Sequence, residues 1–168
     1  TAVTSNYNGS HISCYGMTDG SASVTASGGI APYTYQWTPG IQTTAAVSGL
    51  GAGVHTVTVT DDNGCQTTNN ITLVQPDTVS ITAILTNILC YGGTTGAINA
   101  TISGGTTPYT YLWSTGATSQ DLLNLTPGTY TDSVSDINGC SAVQSFTITQ
   151  PLDSITLTAV TTHNLCFG

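Results

Sequence analysis

The stretch "PYTYQW" at residues 32–37 decides the fold, because it returns almost unchanged as "PYTYLW" at residues 108–113. Alternate side chains share one face of an extended strand, so the aromatic residues of each copy lie together and the polar residues lie opposite. Such a face either fills the core of a small β-sandwich or binds sugar rings. The side chains that it would contribute are Tyr33, Tyr35, Trp37, Tyr109, Tyr111 and Trp113.

The rest of the chain repeats around this motif. Residues 14–40 align with residues 90–116 at an offset of 76, and "DDNGC" at 61–65 aligns with "DINGC" at 136–140 at an offset of 75. Another copy begins after Pro151. Because fixed-period similarity indicates structural repeats, we predict a first repeat at 1–76, a second at 77–151 and the opening strand of a third, truncated repeat at 152–168.

The local pattern of each repeat is that of strands and turns. Apolar and polar residues alternate over short runs, and Gly-Gly, Pro-Gly and Asn-Gly pairs separate the runs. These pairs favour the positive φ angles of tight turns, and no apolar stripe has the period of a helix. The sequence predicts an all-β chain of tandem Ig-like sandwiches with about seven strands each.

The charge balance restricts the partners. The 168 residues include eight acidic side chains and no Lys or Arg, which gives a formal charge of −8. A chain without cationic side chains cannot neutralise phosphates, so nucleic acid and anionic membranes are excluded as partners. No run of about 18 apolar residues is present, so no direct membrane insertion is expected. Proteases that cut at Lys or Arg find no site, which favours long residence outside the cell.

The five cysteines follow the repeat. The spacing of 51 between Cys14 and Cys65 nearly equals the spacing of 50 between Cys90 and Cys140. Four cysteines allow three pairings, and repetition favours the one that closes each repeat on itself. We therefore predict pairs of Cys14 with Cys65 and of Cys90 with Cys140, in an oxidising compartment. Cys166 takes the first-cysteine position of the third repeat, so its partner is expected beyond the fragment.

The sequence contains no catalytic constellation. His11, His55 and His163 do not recur in register, and no Gly-x-Ser-x-Gly, His-Glu-x-x-His or phosphate-binding loop occurs. An array of repeats is expected to place essential groups in every copy. We expect no catalytic residues, no enzymatic activity and no cofactor.

Two acidic turns are weak candidates for a calcium site. Their oxygen-bearing side chains suit a hard cation, but Asp and Asn in a "DxNG" turn also bond the backbone of the turn itself. We favour the second interpretation and expect no firm metal site. The weak calcium candidates are Asp61, Asp62, Asn63, Asp136 and Asn138.

Asp132 does not fit the alternation of its strand. It has the parity of Tyr130 and Val134, and it stands where the first repeat has Val57. An unpaired carboxylate in the core is costly. We therefore expect either a bulge in this strand or a position at the sandwich edge.

The repeat resembles a known family. The blocks "CYG", "SGG", "PYTYxW" and "DxNGC" occur twice in the same order, each time followed by Gln-Pro. This order resembles the SprB-type repeat of large cell-surface gliding adhesins of Bacteroidetes. The resemblance implies Ig-like or PKD-like modules in a secreted, outer-membrane-associated filament on the bacterial surface, exported by type IX secretion. His55 and Thr95 depart from the family pattern, in which an aromatic and an acidic residue are usual.

The resemblance also implies glycosylation. Bacteroidetes attach O-glycans to Ser or Thr in Asp-Ser/Thr-apolar contexts, and "DTV" at 77–79 and "DSI" at 153–155 fit that pattern at equivalent positions. Thr78 and Ser154 are the main candidates, and Ser133 in "DSV" is a weaker one. The alternative interpretation is that these residues are ordinary polar residues of the linkers.

These expectations together favour a mechanical function. We predict a structural segment of a surface adhesin or filament, in which disulfide-bonded repeats form a stiff stalk for adhesion or gliding. The expected partners are neighbouring repeats of the same chain, laterally assembling chains, and a surface polysaccharide or substratum. The alternative is a carbohydrate-binding module, which requires the tyrosines of the repeated motif to be exposed.

Overall fold

The structure of the chain is a computed structural model that describes residues 1–160. His163 and Cys166, and with them residues 161–168 of the predicted third repeat, lie outside the described residues. The boundaries predicted for the three repeats remain a prediction.

Each repeat contributes six strands. Those of the first repeat are β1 (Ala2–Thr4), β2 (Gly20–Val24), β3 (Thr34–Thr38), β4 (Ala46–Leu50), β5 (Gly53–Thr60) and β6 (Gln66–Leu73). Those of the second repeat are β7 (Ser80–Thr86), β8 (Gly96–Ser103), β9 (Thr110–Trp113), β10 (Leu122–Leu125), β11 (Gly128–Ser135) and β12 (Ser141–Ile148). The corresponding strands follow one another in the same order.

Both repeats have the same sheet topology. In the first, β1-β2-β4 form one antiparallel sheet and β3-β5-β6 form the other; in the second, the sheets are β7-β8-β10 and β9-β11-β12. The prediction of an all-β, Ig-like architecture is confirmed. The six strands of each repeat are close to the expected count of about seven.

The repeated tryptophans lie at the centre of the sandwiches. Trp37 and Trp113 are fully buried, and their indole N–H groups donate to the carbonyls of Thr44 and Ser119, both at 2.9 Å. A buried Trp requires such a partner for its polar end. Around Trp37 the first repeat builds one continuous core of Ile12, Ala22, Val47, Leu50, Val57, Ile71 and Leu73.

The second repeat divides its core into two groups. One group surrounds Trp113, with Ile88, Ile98, Ala100, Leu122, Leu125 and Ile148. The other consists of Val79, Ile81 and Val134, with half-buried aromatic side chains against it. Asp132 lies on β11 between Tyr130, which packs on the first group, and Val134 of the second.

Residues 152–160 form no strand and are exposed throughout. The predicted opening strand is therefore not seen in the part of it that the structure describes, since no neighbouring strand supplies hydrogen bonds to it. No helix able to cross a membrane occurs within residues 1–160.

Candidate functional site

A disulfide joins the two repeats. Cys14, in the loop before β2, is bonded to Cys140, in the turn before β12, with a Cα–Cα distance of 5.5 Å and a sequence separation of 126. Cys65 and Cys90 are exposed free thiols. The junction between the repeats is thus covalent.

The predicted pairs of Cys14 with Cys65 and of Cys90 with Cys140 are wrong. The N–H groups of His11 and Ile12 donate to the Val74 carbonyl, which places the Cys14 loop beside the far end of β6. Cys65 precedes the near end of that strand, eight residues away. At about 3.3 Å per residue the two ends lie roughly 25 Å apart, whereas a disulfide needs Cα atoms within about 7 Å.

Asn138 adds polar contacts beside the disulfide. The side-chain amide of Asn8 donates to Asn138 Oδ1 at 2.8 Å, and Asn138 Nδ2 lies 3.4 Å from the carbonyls of Tyr7 and Ser13. Asn8 and Tyr7 belong to the insertion that is specific to the first repeat. The insertion therefore helps to hold the first repeat against the second.

The cysteine loops have the same anchors in both repeats. Gly16 N donates to Gln75 Oε1, and Gly92 N donates to Gln150 Oε1, both at 2.9 Å. The Gln of each Gln-Pro pair thus fixes the loop that carries the first cysteine of its own repeat. Cys90 is presented on the same kind of loop as Cys14.

The acidic turns use their carboxylates on the backbone. Asp61 accepts hydrogen bonds from the N–H groups of Ile30, Asn63 and Cys65, and these bonds, that from Ile30 most, hold the pKa of Asp61 below its usual value. Asp136 accepts the equivalent three N–H groups, from Thr106, Asn138 and Cys140. A carboxylate that accepts several N–H groups is stabilised in its charged form.

In this geometry the carboxylates of Asp61 and Asp136 stabilise the backbone of their own turns. Asp62 and Asn63 are exposed, and Asn138 contacts the other repeat. No cluster of three His, Cys, Asp or Glu side chains that could hold a metal occurs within residues 1–160. The arrangement offers nothing in favour of calcium beyond the residue types themselves.

The tyrosines of the repeated motif are half-buried. The hydroxyl groups of Tyr33 and Tyr109 donate to the carbonyls of Gly28 and Gly104, at the equivalent glycine of each repeat. Tyr35 packs on the first core and Tyr111 on the core of the second repeat. The exposure required by the carbohydrate-binding alternative is therefore absent at these four residues.

His55 takes the place of a tyrosine and keeps its hydrogen bond. Tyr130 donates its hydroxyl to the carbonyl of Thr126, four residues earlier, at 2.9 Å. His55 is buried, and its Nε2 lies 2.9 Å from the carbonyl of Gly51, also four residues earlier. Because a carbonyl only accepts, Nε2 carries the proton. His55 is a structural residue in this geometry.

Asp132 is fully buried, with 0% of its surface exposed. Neither carboxylate oxygen has a hydrogen-bond partner among the described residues. Burial raises the pKa of Asp132, and burial together with the nearby Asp132 charge raises the pKa of Tyr111. The expected bulge or edge position is wrong: β11 runs in unbroken register between β9 and β12.

The candidate glycosylation residues differ in accessibility. Thr78 and Ser154 are exposed, whereas Ser133 is half-buried on β11, the central strand of its sheet. A glycan at Ser133 would have to emerge between two paired strands. Thr78 and Ser154 are the accessible candidates.

Comparison with protein families gives two matches in this chain. The model of the SprB repeat matches residues 7–41 and 82–118, which run from before the first cysteine to just past the aromatic strand of each repeat. Two segments of the chain are thus similar to the SprB repeat. The matched segments include Cys14 and Cys90, the first cysteine of each repeat, of which Cys14 forms the disulfide between the repeats.

Comparison with curated proteins gives no match. Solved structures similar to this chain include the amphioxus IgVJ-C2 molecule, at 13% identity over 89% of this chain and 96% of that one, with a TM-score of 0.37. They also include a structure on Dscam isoform specificity, at 14% identity and a TM-score of 0.37. The chain covers 38% of that Dscam structure.

The sequence did not reveal the junction. The free thiols, the bridging disulfide and the contacts of Asn138 depend on which end of a sandwich each loop occupies. One signal was present: the turn that carries Cys65 and the loop that carries Cys14 are each linked to strands whose directions follow from the order of the strands. The spacing between cysteines contains no information on those directions.

Proposed function

We propose that this chain is a tension-bearing stalk segment of a secreted bacterial cell-surface adhesin or filament, used in adhesion or gliding. SprB repeats occur in cell-surface proteins, and a pair of Ig-like sandwiches is typical of non-enzymatic structural domains. The observation that carries the proposal is the Cys14–Cys140 disulfide, because it crosses the junction between the repeats.

The disulfide changes the path of a pulling force. Tension applied to the two ends passes along the backbone to Cys14, crosses the sulfur bridge and continues from Cys140. The intervening residues, within a sequence separation of 126, carry no sustained load. Extended chain spans up to about 3.5 Å per residue, so roughly 400 Å of contour length is withheld from extension. Most of both repeats is shielded in this way.

The junction also has little slack. β6 ends at Leu73 and β7 begins at Ser80, and within the short connection Pro76 and Val79 are buried. Proline restricts the backbone further. A short, partly buried connection beside a covalent bridge favours a stiff spacer over two freely jointed domains.

Force spectroscopy on the full chain, pulled between its ends, tests this function. The oxidised protein is expected to release only the residues outside the bridge, whereas Cys14→Ser should release roughly 400 Å more. Cys90→Ser removes a free thiol and is the matched control, with the extension of the wild type expected. Full-length extension of the oxidised wild type would contradict the proposal.

We also propose O-glycosylation of Thr78 and Ser154 in the native host, supported by their exposure and their equivalent positions. Intact mass of the protein from its host is expected to show sugar increments that Thr78→Ala and Ser154→Ala remove one at a time. Ser133→Ala is the matched control, because Ser133 lies half-buried in the sheet. An unmodified mass, or increments that persist in both variants, would contradict this assignment.

A further inference from the structure

A shallow groove lies on the outer face of the β3-β5-β6 sheet of the first repeat, opposite the core. On β3 the side chains of Thr34 and Gln36 alternate with that of the buried Trp37, so they point away from the core. The groove has a volume of about 210 Å³. The residues that line it include Thr34, Gln36, Ile41, Thr43, Thr58 and Thr60.

The groove is built by β5 on one side of β3 and by the segment after β3 on the other. In the register of the sheet, Gln36 lies opposite Thr58 of β5. The N–H of Trp37 donates to the carbonyl of Gln42 at 3.0 Å, which brings Ile41 and Thr43 alongside β3. Backbone hydrogen bonds therefore fix both sides of the groove.

The groove is polar and carries no formal charge. The strands β3, β5 and β6 contain no Asp, Glu, Lys or Arg. A threonine hydroxyl both donates and accepts hydrogen bonds, and so does the side-chain amide of Gln36. Such groups are complementary to the hydroxyl groups of an uncharged sugar. A polyanion would instead meet a chain with a formal charge of −8 and no cationic side chain.

Ile41 gives the polar groove an apolar side. It is 93% exposed, beside the exposed side chains of Thr34, Gln36 and Thr43. Ligand sites combine apolar surface with a few polar groups that orient the ligand, and a pyranose ring has both C–H groups and hydroxyl groups to match. None of these exposed residues is aromatic, Met or Arg, the types that are enriched in protein–protein interfaces. The composition favours a sugar over a protein.

The second repeat lacks both distinctive residues of the groove. Leu112 stands in place of Gln36 and is 58% exposed. Ile41 has no counterpart, because the N–H of Trp113 donates to the carbonyl of Ala117, one residue sooner than Trp37 reaches Gln42. The groove is thus a property of the first repeat, and the second repeat supplies the residues for a matched variant.

A neighbouring repeat does not cover this face. The first repeat is bonded to the turn of Cys140, at one end of the second repeat's sheet. Thr110 and Leu112, on the outer face of that same sheet, are nevertheless exposed. The outer faces therefore stay accessible when repeats are joined end to end.

We propose that this groove binds one ring of a neutral polysaccharide, with Gln36 and Thr58 hydrogen-bonded to ring hydroxyl groups and Ile41 packed on the C–H face. The volume is below the roughly 300–1,000 Å³ of pockets for drug-sized ligands, so each groove holds a single ring weakly. Weak sites become effective when many are held on one surface. The inference rests on the proposed adhesive function for its purpose, whereas binding itself does not require the disulfide.

The test is a titration of the isotope-labelled full chain, followed by the amide signals in two-dimensional NMR spectra. The probes are neutral oligosaccharides of glucose, mannose and N-acetylglucosamine, each to about 10 mM, and an oligogalacturonate as the acidic comparison. At least one neutral probe is expected to shift the amides of Gln36, Thr43 and Thr58 saturably, and the acidic one is not. No shift with any neutral probe, shifts only outside the groove, or shifts only with the acidic probe would overturn the proposal. Shifts of the same amides on dilution without sugar would assign the face to a second copy of the chain and overturn it as well.

Two variants test the residues of the groove. Gln36→Leu, which introduces the residue type of the second repeat, and Ile41→Ser should each raise the dissociation constant about fivefold or more, since one removes a hydrogen bond and the other an apolar contact. Thr72→Leu, on the same outer face, and Ile84→Ser, on β7, are the matched controls, because both residues are exposed outside the groove. Their dissociation constants should equal that of the wild type. Equal affinities in Gln36→Leu and Thr72→Leu would contradict the assignment.

The binding site and the stalk can fail separately. Cys14→Ser should lose the shielding under force and keep the affinity for the oligosaccharide, because the groove lies within the first repeat. Gln36→Leu should do the reverse. Loss of binding in Cys14→Ser would overturn the groove as an independent site, whereas its force trace tests only the stalk.

Discussion

The two repeats have the same strands in the same order, and they differ most in their cores. At one inward position of the fifth strand of each repeat, the first has Val57 within one continuous core and the second has Asp132 between two apolar groups. In the second repeat, Val79 and Ile81 join Val134 in the group that lies beyond Asp132 from Tyr130. The comparison teaches that this topology tolerates an interior carboxylate where apolar contacts surround it on both sides.

The largest expected effect comes from moving the carboxylate into the first repeat. Val57→Asp should lower the free energy of unfolding of that repeat by about 4 kcal/mol, because it removes a buried apolar side chain and leaves an unpaired polar group. Urea denaturation followed by hydrogen exchange of peptic peptides reports each repeat separately. Val54→Asp, on the exposed start of the same strand, should have little effect. Equal losses of stability in Val57→Asp and Val54→Asp would contradict the view that the two repeats differ in their tolerance of an interior carboxylate.

The reverse change should stabilise the second repeat. Asp132→Val unites the two apolar groups and should raise the free energy of unfolding by about 2 kcal/mol, since no partner is lost. Asp132→Asn removes the charge but keeps the polar atoms, so its gain should be smaller. The same exchange measurement checks both. A loss of stability in Asp132→Val would mean that the carboxylate has a stabilising role.

The repeats should also respond to pH in opposite directions at these sites. Burial raises the pKa of Asp132 above its ordinary value of 3.8, so its cost is absent at low pH, grows as pH rises above 3.8 and is complete above the raised pKa. Stability of the second repeat should therefore fall with rising pH in that window. Asp132→Asn should abolish this slope. A slope that is the same in both proteins would assign it to other groups.

For Asp61 the sign is reversed. Its lowered pKa contributes stability above 3.8 that is lost as pH falls through the folded-state value. The pKa of Asp19, which accepts a hydrogen bond from Ser13 N, is also lowered and gives the first repeat a second acid-sensitive group. Asp61→Asn should therefore reduce the acid limb of the first repeat without abolishing it, while leaving that of the second unchanged. An acid limb of unchanged size in this variant would contradict the role of the Asp61 turn.

The smallest expected effect concerns His55 and Tyr130, whose side chains hydrogen-bond to the backbone carbonyl of the residue four positions earlier. His55→Phe and Tyr130→Phe each remove one hydrogen bond to a backbone carbonyl and should each cost about 1 kcal/mol. Similar losses in the two repeats, measured by urea denaturation, would show that His55 replaces the tyrosine in function as well as in place. A neutral His55→Phe would show that the ring alone matters there.

The sequence predicted those features that depend on the local pattern within each repeat. The alternation around Trp37 and Trp113 predicted the aromatic strands, and the parity of Asp132 placed it inward, as the structure does. The expectation of a bulge failed because the sequence could not show apolar contacts on both sides of that carboxylate. The cysteine pairing failed because Cys14 and Cys65 lie at opposite ends of β6, which is a property of strand direction and not of spacing.

The bridge from Cys14 to Cys140 closes a covalent ring through both repeats. A single backbone cut anywhere inside that ring would leave the two fragments attached to each other by sulfur. A surface structure built in this way would survive isolated nicks without shedding its outer part. Two backbone cuts inside the ring, or one cut outside it, would be needed to separate the chain into unlinked fragments.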